Sequence, residues 1–197
     1  MKNRVTLSLS IIFFFFFLSC KKETHRIDNF FVEFATVNKS ESILLFLLDD
    51  DTKLTPSNPS VLDLKDGMRA LINYTPLENS LVKINSYRPI FMDSIRNEGY
   101  PDKVKTDPIK IISVWVSGNY LNISFEVDYH SKSHASALFR DTNAEKTTLY
   151  FSYSREDDPT GAPTLNYLSF NLNDLKKKSF VVYINTYKGK RKLVFEK

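Results

Sequence analysis

The chain has 197 residues, of which 42% are hydrophobic, 14% aromatic and 25% charged; that is too apolar for a disordered chain and leaves room for one large domain or two small ones. Five glycines, eight prolines and the absence of any internal period exclude a fibrous or low-complexity protein. The formal charge of +4 falls to +2 once Lys2 and Arg4 of the leader are set aside, since 27 basic residues become 25 against 23 acidic ones, and no nucleic-acid footprint is present.

The first predicted element is that leader, residues 1–19. Lys2 and Arg4 form its positive start, and residues 5–18 are an apolar run of about fourteen residues, short of the about 20 that a spanning helix needs. Ser19 is a small residue ahead of Cys20, the chain's only cysteine, which therefore makes no internal disulfide. Phe17, Leu18, Ser19 and Cys20 resemble the lipobox of bacterial lipoproteins. The resemblance implies a diacylglycerol on the Cys20 thiol, cleavage before Cys20 and acylation of the new amine, with Phe17 departing from the usual leucine. Two or three acyl chains anchor a protein stably where one is marginal. The expected location is the outer membrane, with the periplasmic face and the cell surface both open.

Residues 20–29 are polar and read as a tether. Strand signals follow in residues 30–38, and residues 42–56 read as a strand, an acidic turn and a second short strand. Pro56 and Pro59 break the pattern. Asp66-Gly67 starts a turn into a strand that alternates Met68, Ala70, Ile72 and Tyr74 with Arg69, Leu71, Asn73 and Thr75. Residues 80–92 predict another strand, interrupted before Pro89.

Residues 98–108 are polar, with a proline at each end of their central part, and read as the link between two units, 30–107 and 108–197. Residues 109–129 predict a hairpin through Ser117-Gly118-Asn119. In its second arm Leu121, Ile123, Phe125 and Val127 alternate with Asn122, Ser124, Glu126 and Asp128, the pattern of an antiparallel strand with one face in water. Residues 147–155, 164–172 and 179–187 predict three more strands, and residues 191–197 a last one. At most one short helical piece fits, at 93–97 or 174–177. The expected class is all-β, in two small units.

Four segments in order, "FATVN", "LLDDDTKLTP", "KDGMRALINYTPL" and "DPIKIISVWVSGNYLNISFEVDY", resemble the NigD-like lipoproteins of the Bacteroidota. The resemblance runs from about Phe34 to the C-terminus, with "DG-x-RALINYT" and "GNYLNISF" its most specific parts. It implies an N-terminal OB-like barrel followed by a C-terminal antiparallel β-sandwich, and it carries over no catalytic residues. The glycine-free turn Asp49-Asp50-Asp51-Thr52 and the lysine-rich C-terminal strands depart from the pattern.

No residue set points to catalysis or a cofactor. Asp49-Asp50-Asp51 and Glu156-Asp157-Asp158 lack the six to eight oxygens of a calcium site and read as turns. His130 and His134 would share a face of an extended chain, but zinc needs three or four ligands and Cys20 is committed to lipid. No nucleophile elbow or glycine-rich phosphate loop occurs. The remaining candidates are aromatic and basic. Tyr87, Tyr100, Tyr120 and Tyr129 lie near turns or strand ends, where rings can stack on a ligand, and Trp115 reads as core. Lys176, Lys177, Lys178, Lys188, Lys190, Arg191 and Lys192 fit either anionic head groups or protection of a sheet edge. Asp93-Ser94-Ile95 resembles a short O-glycosylation sequon at Ser94.

These features predict a non-enzymatic, lipid-anchored envelope protein. Its partners are the membrane, through Cys20, and an envelope protein, peptide or glycan, with no nucleic acid and no cofactor. A bacteriocin-associated immunity or secretion accessory role and an envelope-polymer hydrolase are the alternatives.

Overall fold

A computed structural model describes residues 29–41, 43–176 and 179–196. The leader, Cys20, most of the tether, Lys177 and Lys178 lie outside the described residues. Apart from a single 3-10 turn at Pro59–Val61, every regular element among the described residues is a strand.

The first five strands are β1 (Phe31–Lys39), β2 (Leu44–Leu48), β3 (Lys53–Pro56), β4 (Arg69–Pro76) and β5 (Leu81–Arg96). β1 runs antiparallel to both β2 and β4, β2 pairs with β3, β3 runs parallel to the start of β5, and β5 returns antiparallel to β4. The ring β1-β2-β3-β5-β4 is thus closed, and closure removes the open strand edges that invite aggregation. Alternation fills it: Ala35, Val37, Phe46, Leu48, Leu54, Ala70, Ile72, Tyr74, Val82 and Ile84 all point inward and are buried. Each fully buried aliphatic or aromatic side chain contributes about 1.5–3 kcal/mol.

β5 is the hinge of the architecture. It does not stop before Pro89 but runs on to Arg96, 16 residues in all. Ile90 is the last residue paired with β4, so the missing proline donor falls where the strand changes partners. Beyond it, 91–94 and 95–96 enter two sheets of the second unit, and the helical piece expected at 93–97 is strand up to Arg96.

The second unit is built from β6 (Lys110–Ser117), β7 (Tyr120–Tyr129), β8 (Ala135–Asp141), β9 (Thr148–Ser154), β10 (Ala162–Asn171), β11 (Ser179–Thr186) and β12 (Gly189–Glu196). One sheet has the order β6-β7-β10-β5 and the other β12-β11-β9-β8-β5. Neighbours are mostly antiparallel, whereas β10 and β8 run parallel to β5, and β11 parallel to β9. Between the sheets lie Leu121, Ile123, Phe125, Leu138, Leu149, Phe151, Phe170, Phe180 and Ile184, among others.

Residues 98–108 are not a link between the units. They are fastened to the sandwich: Lys105 donates its backbone N–H to Ser152 Oγ at 2.8 Å and accepts from the Tyr153 N–H, and the Asp107 carboxylate takes the Arg155 N–H at 2.9 Å. The chain crosses between units inside β5, because a continuous strand keeps its backbone groups paired where a free linker would not. β8 carries no alternation to reveal it in the sequence, since Ala137, Leu138 and Phe139 are consecutively buried. The expected helical alternative near 174 is a turn, and Leu175 enters the sandwich core.

Candidate ligand-binding cleft

The barrel seats on the outer face of the β6-β7-β10 sheet. That is why Asn122 and Ser124, which alternation assigns to water, are buried. Arg69 leaves β4 on the outside of the barrel and yet is 0% exposed. Its guanidinium donates to Asp49 Oδ2 at 3.0 Å and Oδ1 at 2.5 Å, to Asn122 Oδ1 at 3.3 Å, and stacks over the Tyr120 ring at 3.9 Å. Ser169 donates to the same Asn122 oxygen at 2.7 Å. Phe34 packs on Trp115 and Tyr167, so Trp115 is an interface residue more than a core one. A Cβ on Gly118 would stand 3.0 Å from the Asp49 carbonyl oxygen, so glycine lets the β6–β7 turn approach the acidic turn of the barrel.

Two hollows flank this junction. One, of about 460 Å³, is lined by Glu33, Phe34, Asp49, Asp50 and Trp115. Its groups are already engaged: Asp49 by Arg69, Asp50 by the Thr52 N–H at 2.9 Å, and the two rings by each other at 5.2 Å. That N–H also lowers the Asp50 pKa.

The other, of about 330 Å³, opens where β5 leaves the barrel. Phe91 and Tyr129 stand 48% and 41% exposed at it, unlike the rings of the first hollow. Asn166, Ser133, Ser136 and Arg88 add hydrogen-bonding groups, and the Arg88 guanidinium lies 5.5 Å from the centre of the Tyr167 ring. Rings flanked by amide, hydroxyl and guanidinium groups suit a ligand with an apolar face and a polar rim.

A connected set of buried groups stiffens this cleft. Asp158 accepts the backbone N–H groups of His130, Ser131 and Lys132 at 2.8, 3.0 and 2.9 Å, and binds His134 Nε2 at 3.1 Å. His134 Nδ1 meets the Tyr153 hydroxyl, and Tyr129 contacts the His134 ring edge to face. Burial alone would raise the Asp158 pKa, but its four donors outweigh burial and hold it well below the ordinary carboxylate range. An ionised Asp158 accepts from a proton on His134 Nε2, and the Tyr153 hydroxyl stands at Nδ1 on the other side of the ring. Burial pushes the Tyr153 hydroxyl well above the ordinary tyrosine range, so it stays neutral and is a poor nucleophile.

The family follows from both halves of the chain. The model for the NigD-like N-terminal OB domain matches residues 34–89, and that for the NigD-like C-terminal beta sandwich domain matches residues 92–196. The chain belongs to the NigD-like family. The boundary between the two matches falls in β5, where the strand changes partners. A protein of Parabacteroides distasonis provisionally described as toxin-related is 30% identical, with a TM-score of 0.76 over 85% of this chain and 93% of that one. A NigD-like immunity protein of Bacteroides caccae shares the fold at 18% identity and a TM-score of 0.64, over 83% of this chain and 90% of that one. So does a protein of Bacteroides fragilis provisionally described as a lipoprotein, at 13% identity and a TM-score of 0.65, over 85% of this chain and 96% of that one. No curated protein matches the chain.

In this NigD-like chain the four candidate tyrosines are scattered. Tyr129 alone lines the cleft. Tyr120 is the platform for Arg69. Tyr87 packs against the barrel core and donates to the Asp63 carbonyl at 3.3 Å. Tyr100 stacks on Tyr150 at 4.3 Å, which in turn stacks on Tyr183 at 5.1 Å. Lys190, Arg191 and Lys192 lie exposed along β12, the outermost strand of its sheet, with Lys188 in the turn before it and Lys176 exposed near the start of β11. Ser94 is exposed within β5. His130 and His134 do not converge, since the His130 ring turns to Ser131 and the His134 ring to Asp158. Sequence reading missed Arg69, Asn122 and the Asp158–His134–Tyr153 set. The only signal for the first two was their place in the two most specific motifs, "RALINYT" and "GNYLNISF".

Proposed function

We propose that this chain is a lipid-anchored protein of the outer membrane that binds a carbohydrate in the cleft beside Tyr129 and does not alter it chemically. The carrying observation is the cleft itself: Tyr129 and Phe91 stand exposed beside Asn166, Ser133 and Ser136. A sugar ring offers the matching surfaces, an apolar C–H face for the rings and hydroxyls for the rim. Among the described residues, the acid–base set beside the cleft supports binding over chemistry, because the hydroxyl that meets His134 is that of Tyr153, which is buried and held neutral. The lipobox-like residues 17–20 and the description of the Bacteroides fragilis relative support the anchor.

The test is a glycan microarray probed with the detergent-solubilised chain and its Tyr129→Ala variant. Retention of a glycan by the wild type and its loss in the variant is expected; no retained glycan overturns the reading. For the anchor, Cys20→Ser should move the chain from the membrane fraction to the soluble one.

A second reading is favoured by the description of the Bacteroides caccae relative as an immunity protein. It requires that deleting the gene sensitises cells to a toxin encoded beside it.

A further inference from the structure

The cleft does not end at Tyr129. A second depression of about 350 Å³ on the outside of β8 and β9 shares Phe91, His134 and Ser136 with it. The two form one continuous furrow. The second half has small residues on its strands, Ala135, Ala137, Ser152 and Ser154, which leave the space open.

Its charge is one-sided. Arg96, Lys103 and Lys105 line it, and no carboxylate is among its described lining residues. Arg96 is paired with Asp93 at 2.9 Å, which offsets part of its charge, while its guanidinium lies 5.7 Å from the centre of the Phe139 ring. Lys103 and Lys105 are in no ion pair with a described residue. Their backbones are fixed, Lys103 by its N–H to the Gly99 carbonyl at 2.7 Å and Lys105 by Ser152. The Lys103 stem lies so close to Gly99 that a Cβ there would stand 2.9 Å from its Cδ. Arg88 adds a fourth cation in the first half. Cations along a furrow with serine hydroxyls between them match a chain that repeats acidic groups and hydroxyls.

We propose that the furrow takes an acidic polysaccharide, with sugar rings at Tyr129 and acidic groups at Lys103, Lys105 and Arg96. The inference rests on the carbohydrate reading above and names the class of carbohydrate. Phosphate esters and uronate carboxylates would both satisfy these cations, and so would an anionic lipid surface; the continuity with the aromatic cleft through Phe91, His134 and Ser136 favours the polysaccharide.

The test uses the full chain in neutral detergent and fluorescence anisotropy of end-labelled galacturonan, its fully methyl-esterified and hence uncharged form, and a phosphorylated mannan. The acidic chains should bind about tenfold or more tighter than the ester, an advantage that two exposed lysines can supply and that salt should erode. Lys103→Ser with Lys105→Ser, both at exposed positions, should erase that advantage and leave ester binding unchanged; tighter binding of one acidic chain than the other assigns the acidic group. Equal binding of acidic and esterified chains, or an unchanged double variant, overturns the inference while ester binding sensitive to Tyr129→Ala upholds the cleft. Phosphatidylglycerol vesicles that bind where neither polysaccharide does overturn it in favour of a membrane. No binding of any probe overturns it as well.

Discussion

Arg69 of the barrel and Asn122 of the sandwich meet at 3.3 Å, and both are fully shielded from water. A guanidinium is tolerated there because Asp49 takes both of its Nη atoms and the Tyr120 ring lies beneath it. Burying a charge without such partners costs far more than their contacts return. The pair therefore ties the barrel to the outer face of the sandwich, and β5 passes unbroken between the two units.

Removing one partner of this set should cost much more than removing both. Arg69→Ala or Asp49→Ala is expected to lose about 3–5 kcal/mol in urea unfolding, because the remaining group is left buried and unpaired. Arg69→Met with Asp49→Leu should recover most of that loss. Equal losses in the single and double variants would show that the charge pair is not what holds the junction.

Gly161 tests the wall of the cleft. A Cβ there would lie 2.0 Å from the Tyr129 carbonyl oxygen, and a backbone atom cannot step aside as a side chain can. Gly161→Ala should lower stability by about 3 kcal/mol or more and shift the Tyr129 ring, read out by thermal unfolding and by its aromatic proton signals. An unchanged melting temperature contradicts the placement.

The acid limb of stability belongs in part to Asp158. Its pKa is depressed in the folded chain, so its stabilisation is complete above the ordinary aspartate range, about 4, and is lost as the pH falls below it. Asp158→Asn should be less stable at neutral pH and show a flatter decline on acidification. Parallel curves for the two proteins would refute the assignment.

The alkaline limb has a counterpart in Tyr74. Burial, then the neighbouring Glu33, raise its pKa from 10.0 to about 12. The folded state holds this proton longer than the unfolded one, so the contribution is full below the ordinary value and lost as the pH rises toward the folded one. Tyr74→Phe should reduce that loss while costing about 0.5–1.5 kcal/mol at neutral pH for the bond to Glu33. Buried Tyr153 and half-buried Tyr150, the latter held by the Tyr100 hydroxyl, are both shifted upward and keep part of the slope in the variant.

Most strands were legible because polar and apolar residues alternate along them. The second arm of the β6–β7 hairpin and the run Met68–Tyr74 show this alternation, although the structure buries Asn122, Ser124 and Arg69 on their polar faces. β8 was not legible, because Leu138 and Phe139 point to opposite faces and both are covered. The link was misplaced for a related reason: polar residues 98–108 look free in sequence, whereas their backbone groups are taken by β9 and β11. Of the candidate tyrosines, only Tyr129 reaches the cleft, since whether a ring meets solvent or another ring depends on strands far apart in the chain.

By itself the sequence determined the all-β class and the place of most strands, because period-2 alternation and turn residues are local properties, while the order of barrel and sandwich came from its resemblance to the family. Only the tertiary structure decided that Arg69 and Asn122 are interior, that β5 joins the units without a linker, and that Arg88, Arg96, Lys103, Lys105 and Tyr129 border one furrow. Burial and convergence arise when separated segments cover one another, and no local pattern records which segments will do so.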